Sequence, residues 1–200
     1  MTDPTADLAW FRRPSAELPG TLNACYNALD RHVVSGLADS LALAGDRDYS
    51  YARLLTEVGA FAGVLTAFDL GIGAEVVLSD LPPEYAVIAT LACARVGAVV
   101  HDSEQPTPAM RVLGTRPETP VGDVPVITAD DTGELTWATA MTAGRSNPAG
   151  CADVPADAPL RVVVGRAVPL GEHLLAVAAG EVEDDVFGPL LAGGTIRLPG

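Results

Sequence analysis

The feature that most constrains this chain is a strand–helix–strand pattern between residues 75 and 101. The stretch EVVLSDL has the composition of a β-strand, and Pro82 and Pro83 follow it, where proline is tolerated in the first turn of a helix. The stretch EYAVIATLACARVG then predicts that helix, and AVVH predicts a second strand. Because a strand, a helix and a strand follow one another within thirty residues, the two strands are expected to lie parallel, as a βαβ unit.

Further helices and strands are predicted on both sides of this unit. The strongest helix pattern follows Ser50, a candidate N-cap, and its leucines and phenylalanines recur at helical spacing until a candidate stop at Gly71. That apolar stripe indicates core packing, with the lining of an acyl pocket as the alternative. Helices are also predicted in TLNACYNALDRHV, GELTWATAMTAG and DVFGPLLAGG, and strands in SLALAG, VPVITA, LRVVVG and TIRLPG.

These elements predict an α/β fold with a mostly parallel sheet and flanking helices. Two segments rich in proline, glycine, threonine and alanine, residues 102–123 and 145–159, predict loops. We divide the chain into an N-terminal extension, residues 1–45, and an α/β subdomain, residues 46–200, that contains the loop at 102–123.

Composition and charge exclude several classes of partner. The chain has 200 residues, 26 acidic and 12 basic, and a net charge of −14. Nucleic acids and anionic membrane surfaces attract basic proteins, so we expect neither as a partner. The longest apolar stretch is interrupted by Arg95 and is too short to span a bilayer. No secretory signal is visible at the N-terminus, so a cytoplasmic location is expected.

All twelve basic residues are arginines, and the sequence contains no lysine. Mechanisms that need a Walker-type lysine, a Schiff-base lysine or a lysine that clamps a transition state are therefore excluded for these residues. Cys25, Cys93 and Cys151 are far apart in the sequence and form no C-x-x-C motif. We expect them to be reduced thiols, neither disulfide-bonded nor zinc-binding.

The stretch PLRVVVGRAVPLGEHLL, from Pro159 to Leu175, has the outline of a phosphate-binding strand, glycine loop and helix. A Walker loop requires G-x-x-x-x-G-K-[ST]. Here the gap between Gly165 and Gly171 is one residue too long, and Glu172 stands where the lysine belongs. Pro169 also removes one backbone donor. The residues themselves therefore predict a poor phosphate site.

Three other groups of residues could carry chemistry, but each has a simpler interpretation. His101-Asp102-Ser103 contains the residue types of a catalytic triad, yet adjacent residues cannot converge on one point. The acidic clusters at 130–131 and 181–185 could hold Mg²⁺, but solvated faces or helix N-termini are the simpler expectation. Cys25 and His32 supply only two of the four ligands that structural zinc requires, and a hydrogen bond to backbone or to Asp30 is the expected role of His32.

Several stretches resemble the AMP-forming acetyl- and propionyl-CoA synthetases in collinear order. The stretch LNACYNALDRHV resembles the family's L-N-x-C-Y-N-A-[LV]-D-R-H-V, and LACARVGAV resembles its L-A-C-A-R-x-G-A. YSYARLLTEVGAFAGVL is similar to a family helix, LTWATAMTAG to the segment before the adenylation core, and VFGPLLAGGTIRLPG to the family's Y-G-P-L-x-x-G-A-T-T-x-L-x-E-G. The resemblance implies the fold of the N-terminal subdomain of adenylate-forming enzymes.

The departures from this family bear on activity. The family's D-P-L-x-I-L-Y-T-S-G-T-T-G-x-P-K-G binds the ATP phosphates, and APLRVVVGRAVPLGEHLL stands in its place. The family's G-G-F segment is replaced by DSEQPTPAM, and a long aromatic-rich region is reduced to EVEDDV. The later ATP and acyl motifs, and the C-terminal domain that carries the catalytic lysine, have no counterpart in these residues. The chain therefore resembles a truncated and degenerate N-terminal portion.

The family uses ATP, Mg²⁺ and CoA, but we expect this chain to bind no cofactor or metal and to supply no catalytic residue. Our main hypothesis is a protein that is catalytically inactive by itself and acts as a partner or regulator in acyl-CoA metabolism, by binding a protein or by self-association. One alternative is a piece of a split AMP-forming acyl-CoA ligase. Another is a small module that binds an acyl or CoA ligand.

Overall fold

The residues that the structure describes form one large sheet and two small ones, with helices packed on them. The computed structural model describes residues 8–101, 107–117 and 122–199. In chain order the strands are β1 (Trp10–Arg12), β2 (Thr21–Leu22), β3 (Leu41–Ala44), β4 (Tyr49–Ser50), β5 (Glu75–Ser79), β6 (Val99–His101), β7 (Met110–Leu113), β8 (Val126–Thr128), β9 (Leu135–Thr136), β10 (Val154–Pro155), β11 (Pro159–Val163), β12 (Arg166–Pro169) and β13 (Ile196–Arg197). The α-helices are α1 (Tyr51–Ala67), α2 (Pro83–Val96), α3 (Trp137–Ser146), α4 (Leu170–Ala178) and α5 (Phe187–Leu191).

The large sheet has the order β12-β11-β6-β5-β7-β8-β9 among these residues. Each neighbouring pair from β11 to β9 is parallel, and only β12, at one edge, is antiparallel to its neighbour. Side chains of β5, β7 and β8, including Val76, Val112 and Ile127, are buried in the same core as α1 and α2. The predicted α/β class with a mostly parallel sheet is therefore confirmed.

The βαβ unit forms as the sequence predicts. Strands β5 and β6 are parallel neighbours, with Val77 opposite His101, and α2 connects them. Pro83 opens the helix. The helix ends before Gly97, whose left-handed backbone (φ 80°) and close contact with the side chains of Ile72 and Val154 favour glycine.

The segment 102–123, predicted as a loop, contains a strand of the central sheet. Strand β7 pairs in parallel with β5 on one side and β8 on the other, and Arg111 lies opposite both Val77 and Val126. The strand is the four residues MRVL, in which the buried Arg111 interrupts the apolar run, so the sequence does not show a recognisable strand pattern. Residues 102–106 and 118–121 of the predicted loop lie outside the described residues.

Helix α1 confirms the predicted N-cap and corrects the predicted stop. The Ser50 hydroxyl accepts a hydrogen bond from the backbone N–H of Arg53. The helix ends at Ala67, before Gly71, because Asp69 adopts a left-handed backbone (φ 58°) and breaks the helical geometry. Leu54, Phe61 and Leu65 are completely buried, so the apolar stripe forms core rather than an acyl pocket.

The helix predicted over Thr21–Val33 begins later than expected. Thr21 and Leu22 form β2, which pairs with β1 and with β10, a strand inside the second predicted loop. Helical backbone runs from residue 24 to residue 35, with π-helical segments at Tyr26–Asp30 and Val33–Leu37, and Gly36 (φ 99°) breaks the second of them. The Asn23 side chain accepts the N–H of Tyr26, so it caps this helix.

The third sheet brings distant parts of the sequence together. Strand β3, predicted near the end of the N-terminal segment, pairs in parallel with β13, and Leu43 lies opposite Ile196. Strand β4 completes this sheet on the other side of β3. The division of the chain at residue 45 stays a prediction.

Candidate functional site

The glycine-containing stretch from Gly165 to His173 forms a β-hairpin and a helix rather than a phosphate loop. Strand β11 ends at Val163, and Val164 (φ 49°) and Gly165 (φ 74°) turn the chain directly back into β12. Val163 and Arg166 are partners across this turn. Two successive left-handed residues are characteristic of a two-residue hairpin turn. Gly165 therefore closes a hairpin.

This hairpin moves the start of helix α4 away from Gly165. Pro169, the residue before α4, pairs with Pro159, the first residue of β11. The amino end of α4 therefore lies at the amino-terminal edge of β11. Phosphate cradles place a helix amino terminus at the carboxyl edge of a strand, where its N–H groups meet the loop. The sequence outline of strand, glycine loop and helix therefore does not produce that geometry here.

The second glycine of the stretch has a packing role. Gly171 is buried in the first turn of α4, and a Cβ at this position would lie 2.9 Å from the Cβ of Ala156. Its backbone N–H donates to the carbonyl of Ala156 at 2.7 Å. Glu172, at the position of the Walker lysine, is exposed. The two glycines thus serve a turn and a close contact at different ends of the hairpin.

Next to the hairpin, three charged or polar side chains form a compact network. Nε2 of His173, on α4, is 2.8 Å from Oδ2 of Asp184. Nη2 of Arg161, on β11, is 2.9 Å from the same oxygen and 3.2 Å from Nε2 of His173. The other oxygen, Oδ1, accepts the backbone N–H groups of Val186 and Phe187. The network therefore ties β11 and α4 to the start of α5.

The network holds Asp184 in its charged form. Burial acts to raise the pKa of Asp184, but hydrogen bonds from His173, Phe187 and Val186 and the charge of Arg161 outweigh it and lower the pKa to about 2. The guanidinium of Arg161 is correspondingly engaged by a carboxylate. It is therefore not a free cation for a phosphate group.

Two cavities border this network. One, of about 160 Å³, is lined mainly by apolar residues such as Val100 and Phe187, together with Arg161 and Asp184. The other is an open groove of about 700 Å³ beside α4 and α5, and its charged lining is Glu183, Asp184, Asp185 and Arg197. Three carboxylates against one guanidinium oppose the binding of a polyphosphate.

A second buried ionic cluster lies where the N-terminal helical segment meets α2. Nη1 of Arg95 is 2.8 Å from Oδ2 of Asp30 and 3.5 Å from Sγ of Cys25, and Nε donates to the carbonyl of Ala149. Sγ of Cys151 lies 3.8 Å from the same Asp30 oxygen. Sequence spacing alone does not predict this cluster, although a charged residue, Arg95, within the apolar face of a predicted helix is a signal for it.

The remaining candidates do not assemble into a site among the described residues. His101 is buried with its Nε2 3.7 Å from Glu75, while Asp102 and Ser103 lie outside those residues. Asp130 is partly exposed, and a hydrogen bond from Thr132 is the main cause of its lowered pKa. Within the described part of the chain, no three histidine, cysteine or acidic side chains are grouped so that they could hold a metal ion.

His32 and Cys25 point to different neighbours. The His32 ring hydrogen-bonds to the backbone of Leu190 and Leu191, which is one of the two roles predicted for it. Burial, and after it the charge of Arg31, lowers the pKa of His32. Asp30, the other predicted partner, instead pairs with Arg95.

In the described ranges, no helix combines the length and the apolar character needed to cross a membrane.

Comparison with known proteins gives sequence relatives for about half of the chain. The acetyl-coenzyme A synthetase of Streptomyces avermitilis is 42% identical over 106 residues, which cover 48% of this chain and 16% of that protein. The mitochondrial acyl-CoA synthetase short-chain family member 3 of Rattus norvegicus is 37% identical over 98 residues, 46% of this chain and 14% of that protein. The chain matches no protein-family profile.

The fold has a relative among solved structures. The crystal structure of Brucella canis acyl-CoA synthetase superimposes on this chain with a TM-score of 0.69 and 18% sequence identity, covering all of this chain and 47% of that one. The matches thus span about one sixth of the curated relatives and about half of the solved chain. Over about half of its length, the chain is therefore similar in sequence to acetyl-CoA synthetases, and the resemblance drawn from its sequence is confirmed.

Proposed function

We propose that this chain is a non-catalytic relative of the acyl-CoA synthetases, a pseudoenzyme that acts through a protein contact as a partner or regulator of acyl-CoA metabolism. The observation that carries the proposal is the two-residue turn at Val164 and Gly165, which stands where the family has its phosphate-binding loop. We place this role in the cytoplasm and in acetate or propionate metabolism, the substrates implied by the family resemblance.

Electrostatics support the absence of adenylation by this chain. Adenylate formation develops negative charge on phosphate, which enzymes stabilise with lysine or arginine, backbone N–H groups and Mg²⁺. The 200 residues include no lysine. Arg161, on β11 of the hairpin, is already paired with Asp184, the neighbouring groove is acidic, and Arg166 is an exposed guanidinium next to the turn. One exposed guanidinium beside an acidic groove, without a lysine, is a weak site for the triphosphate of ATP.

The same hairpin is the surface that we propose for the protein contact. Within the described residues, the large sheet ends at β12. Val163 and Val164 at the tip are 37% and 92% exposed, which is unusual for valine. An edge strand that begins at an exposed apolar turn is suited to pair with a strand of another chain. We propose that this edge binds a synthetase chain or a second copy of the protein.

The first experiment measures ATP–pyrophosphate exchange by the purified chain with acetate or propionate, together with ATP–Mg²⁺ binding by calorimetry. We expect neither exchange nor binding heat. Exchange by the chain alone would overturn the proposal. Exchange that appears only when a polypeptide with the remaining synthetase elements is added would favour the split ligase. A thermal shift with CoA or a short acyl-CoA, without exchange, would favour the ligand-binding module.

A second experiment tests the contact. Val164→Arg places a charge at an exposed tip position and leaves the core untouched. We expect the unmodified chain to sediment as a dimer or to capture an acetyl-CoA synthetase added in purified form, and Val164→Arg to lose that association. Val34→Arg, which changes another exposed valine on the N-terminal helical segment, is the matched control. A monomer that binds no synthetase would contradict this part of the proposal.

A further inference from the structure

Cys25 and Cys151, which are 126 positions apart in the sequence, meet at one ion pair. Sγ of Cys25 is 3.5 Å from Nη1 of Arg95, and Sγ of Cys151 is 3.8 Å from Oδ2 of Asp30. Those two ion-pair atoms are themselves 2.8 Å apart. Interaction with the Cys25 side chain is the main cause of the raised pKa of the Cys151 thiol, and burial adds to it. The two thiols therefore flank the same buried ion pair.

The backbone around both cysteines is held in place by Asn23. Its Nδ2 donates to the carbonyl of Arg95 and to the carbonyl of Ala152, each at 2.9 Å. Ala152 in turn donates its N–H to the carbonyl of Arg95 at 2.8 Å. The segments that carry the two thiols are therefore fixed to the same residue of α2, so their proximity does not depend on flexible side chains alone.

The three cysteines differ in access to solvent. Cys151 is partly exposed, whereas Cys25 and Cys93 are completely buried. Cys93 lies in the core on α2, where burial raises its pKa to about 12. A small oxidant therefore reaches Cys151 first, and Cys25 is the buried thiol placed to react with the product.

We propose that Cys25 and Cys151 form a reversible disulfide in response to a peroxide, so that this chain carries a redox site independent of its proposed loss of catalysis. The raised pKa keeps the Cys151 thiolate scarce, so the reaction is slow at neutral pH and faster at alkaline pH. The deprotonated fraction of Cys151 attacks the peroxide oxygen, which breaks the O–O bond and gives a sulfenic acid and hydroxide. The Cys25 thiolate then attacks the Cys151 sulfur, forms the S–S bond and releases a second hydroxide. The two thiol protons and two hydroxides make two waters, and a dithiol reverses the reaction.

The resulting disulfide joins the N-terminal helical segment to the segment before β10. Because it closes a long loop of the chain, it restricts the unfolded state and raises the melting temperature. The ion pair of Arg95 and Asp30 is retained, since neither of its groups takes part in the reaction.

The test treats the full chain with hydrogen peroxide and then with dithiothreitol. We expect the count of free thiols in denaturant to fall from three to one, and non-reducing peptide mapping to find Cys25 linked to Cys151 in the monomer. The melting temperature should rise by roughly 5–10 °C and return after reduction. Cys93→Ala should behave like the unmodified chain. Cys151→Ser, at the partly exposed position, should abolish both the link and the shift.

Three outcomes would overturn the inference. The first is three free thiols after peroxide treatment that oxidises the methionines. The second is sulfinic or sulfonic acid at Cys151 without a link to Cys25. The third is a disulfide between two chains. Each of these readouts is independent of ATP exchange and of protein capture, so the redox site can fail while the proposed function stands, and the reverse.

Discussion

Two strands of the same parallel sheet, β5 and β11, connect to their helices in different ways. After β5, Pro83 opens α2 and the helix leads back to the neighbouring parallel strand β6. After β11, the chain turns back at Val164 and Gly165, and α4 starts only beside Pro159. Helix α2 carries a long run of buried residues, whereas the tip of the hairpin is exposed.

The difference shows which parts of the fold depend on the core. The βαβ unit is formed by local apolar patterns and is buried under α1, so its geometry is stabilised on several sides. The hairpin needs only two strands in register and a turn. The length of this connection can therefore vary without disturbing the sheet, provided that the network of Asp184 holds the base of the hairpin in place.

The largest expected effect is a loss of stability on truncating a buried side chain of α2, compared with a truncation at the exposed tip of the hairpin. Leu91→Ala truncates a completely buried side chain of α2, and we expect a loss of about 3 kcal/mol in the free energy of unfolding because a cavity remains. Val163→Ala removes a similar apolar group from the partly exposed tip and should change the free energy of unfolding by less than about 0.5 kcal/mol. Urea unfolding measures both, and equal losses would contradict the contrast.

An intermediate effect should arise at the base of the hairpin. The pKa of Asp184 is lowered from 3.8 to about 2, so its charged form stabilises the folded state above pH 3.8, and this stabilisation is lost as the pH falls towards 2. The lowering corresponds to about 2 kcal/mol. We expect Asp184→Asn to lose about that much stability at pH 7 and to flatten the acid limb of the stability curve.

Asp185→Asn is the matched control for that experiment. Asp185 is adjacent and exposed, so its replacement should leave the stability and the acid limb close to those of the unmodified chain. Denaturant titrations at a series of pH values give both curves. An unchanged acid limb in Asp184→Asn would show that the network does not hold the hairpin.

The smallest effect concerns the turn itself. Val164 is a β-branched residue in the left-handed region, where asparagine and glycine are favoured. Val164→Asn creates the Asn-Gly pair preferred in two-residue hairpins, and we expect a gain of about 1 kcal/mol in unfolding free energy. Gly165→Ala, at φ 74°, should lose about the same amount. A destabilised Val164→Asn variant would mean that the valine side chain makes a contact the turn requires.

The sequence predicted the elements whose signals are local. Ser50 as an N-cap, Pro83 as a helix start and the apolar spacing of α1 each depend on neighbours a few residues away. The misses have a common cause. Strand β7 is short and contains Arg111, and the positions of β2 and β10 follow from pairing with each other, so their patterns carry little local information.

The candidate site shows the same limit. The weakness of the phosphate loop could be predicted from Glu172 and the absence of lysine. The hairpin that replaces it could not, because valine at position 164 is a poor signal for a left-handed turn. Nor could spacing predict that Asp184 joins His173 and Arg161, or that Cys25 joins Cys151, since both groupings are set by the packing of separate segments.

By itself, the sequence determined the α/β class, the parallel βαβ unit, the relationship to acetyl-CoA synthetases and the absence of a lysine. The tertiary structure decided that Gly165 closes a hairpin, that α4 starts at the opposite edge of β11, and that two distant cysteines share one ion pair. The physical reason is the distance along the sequence over which each interaction acts. Helix caps and apolar periodicity act over a few residues, whereas strand register and buried ion pairs form only when the whole chain has packed.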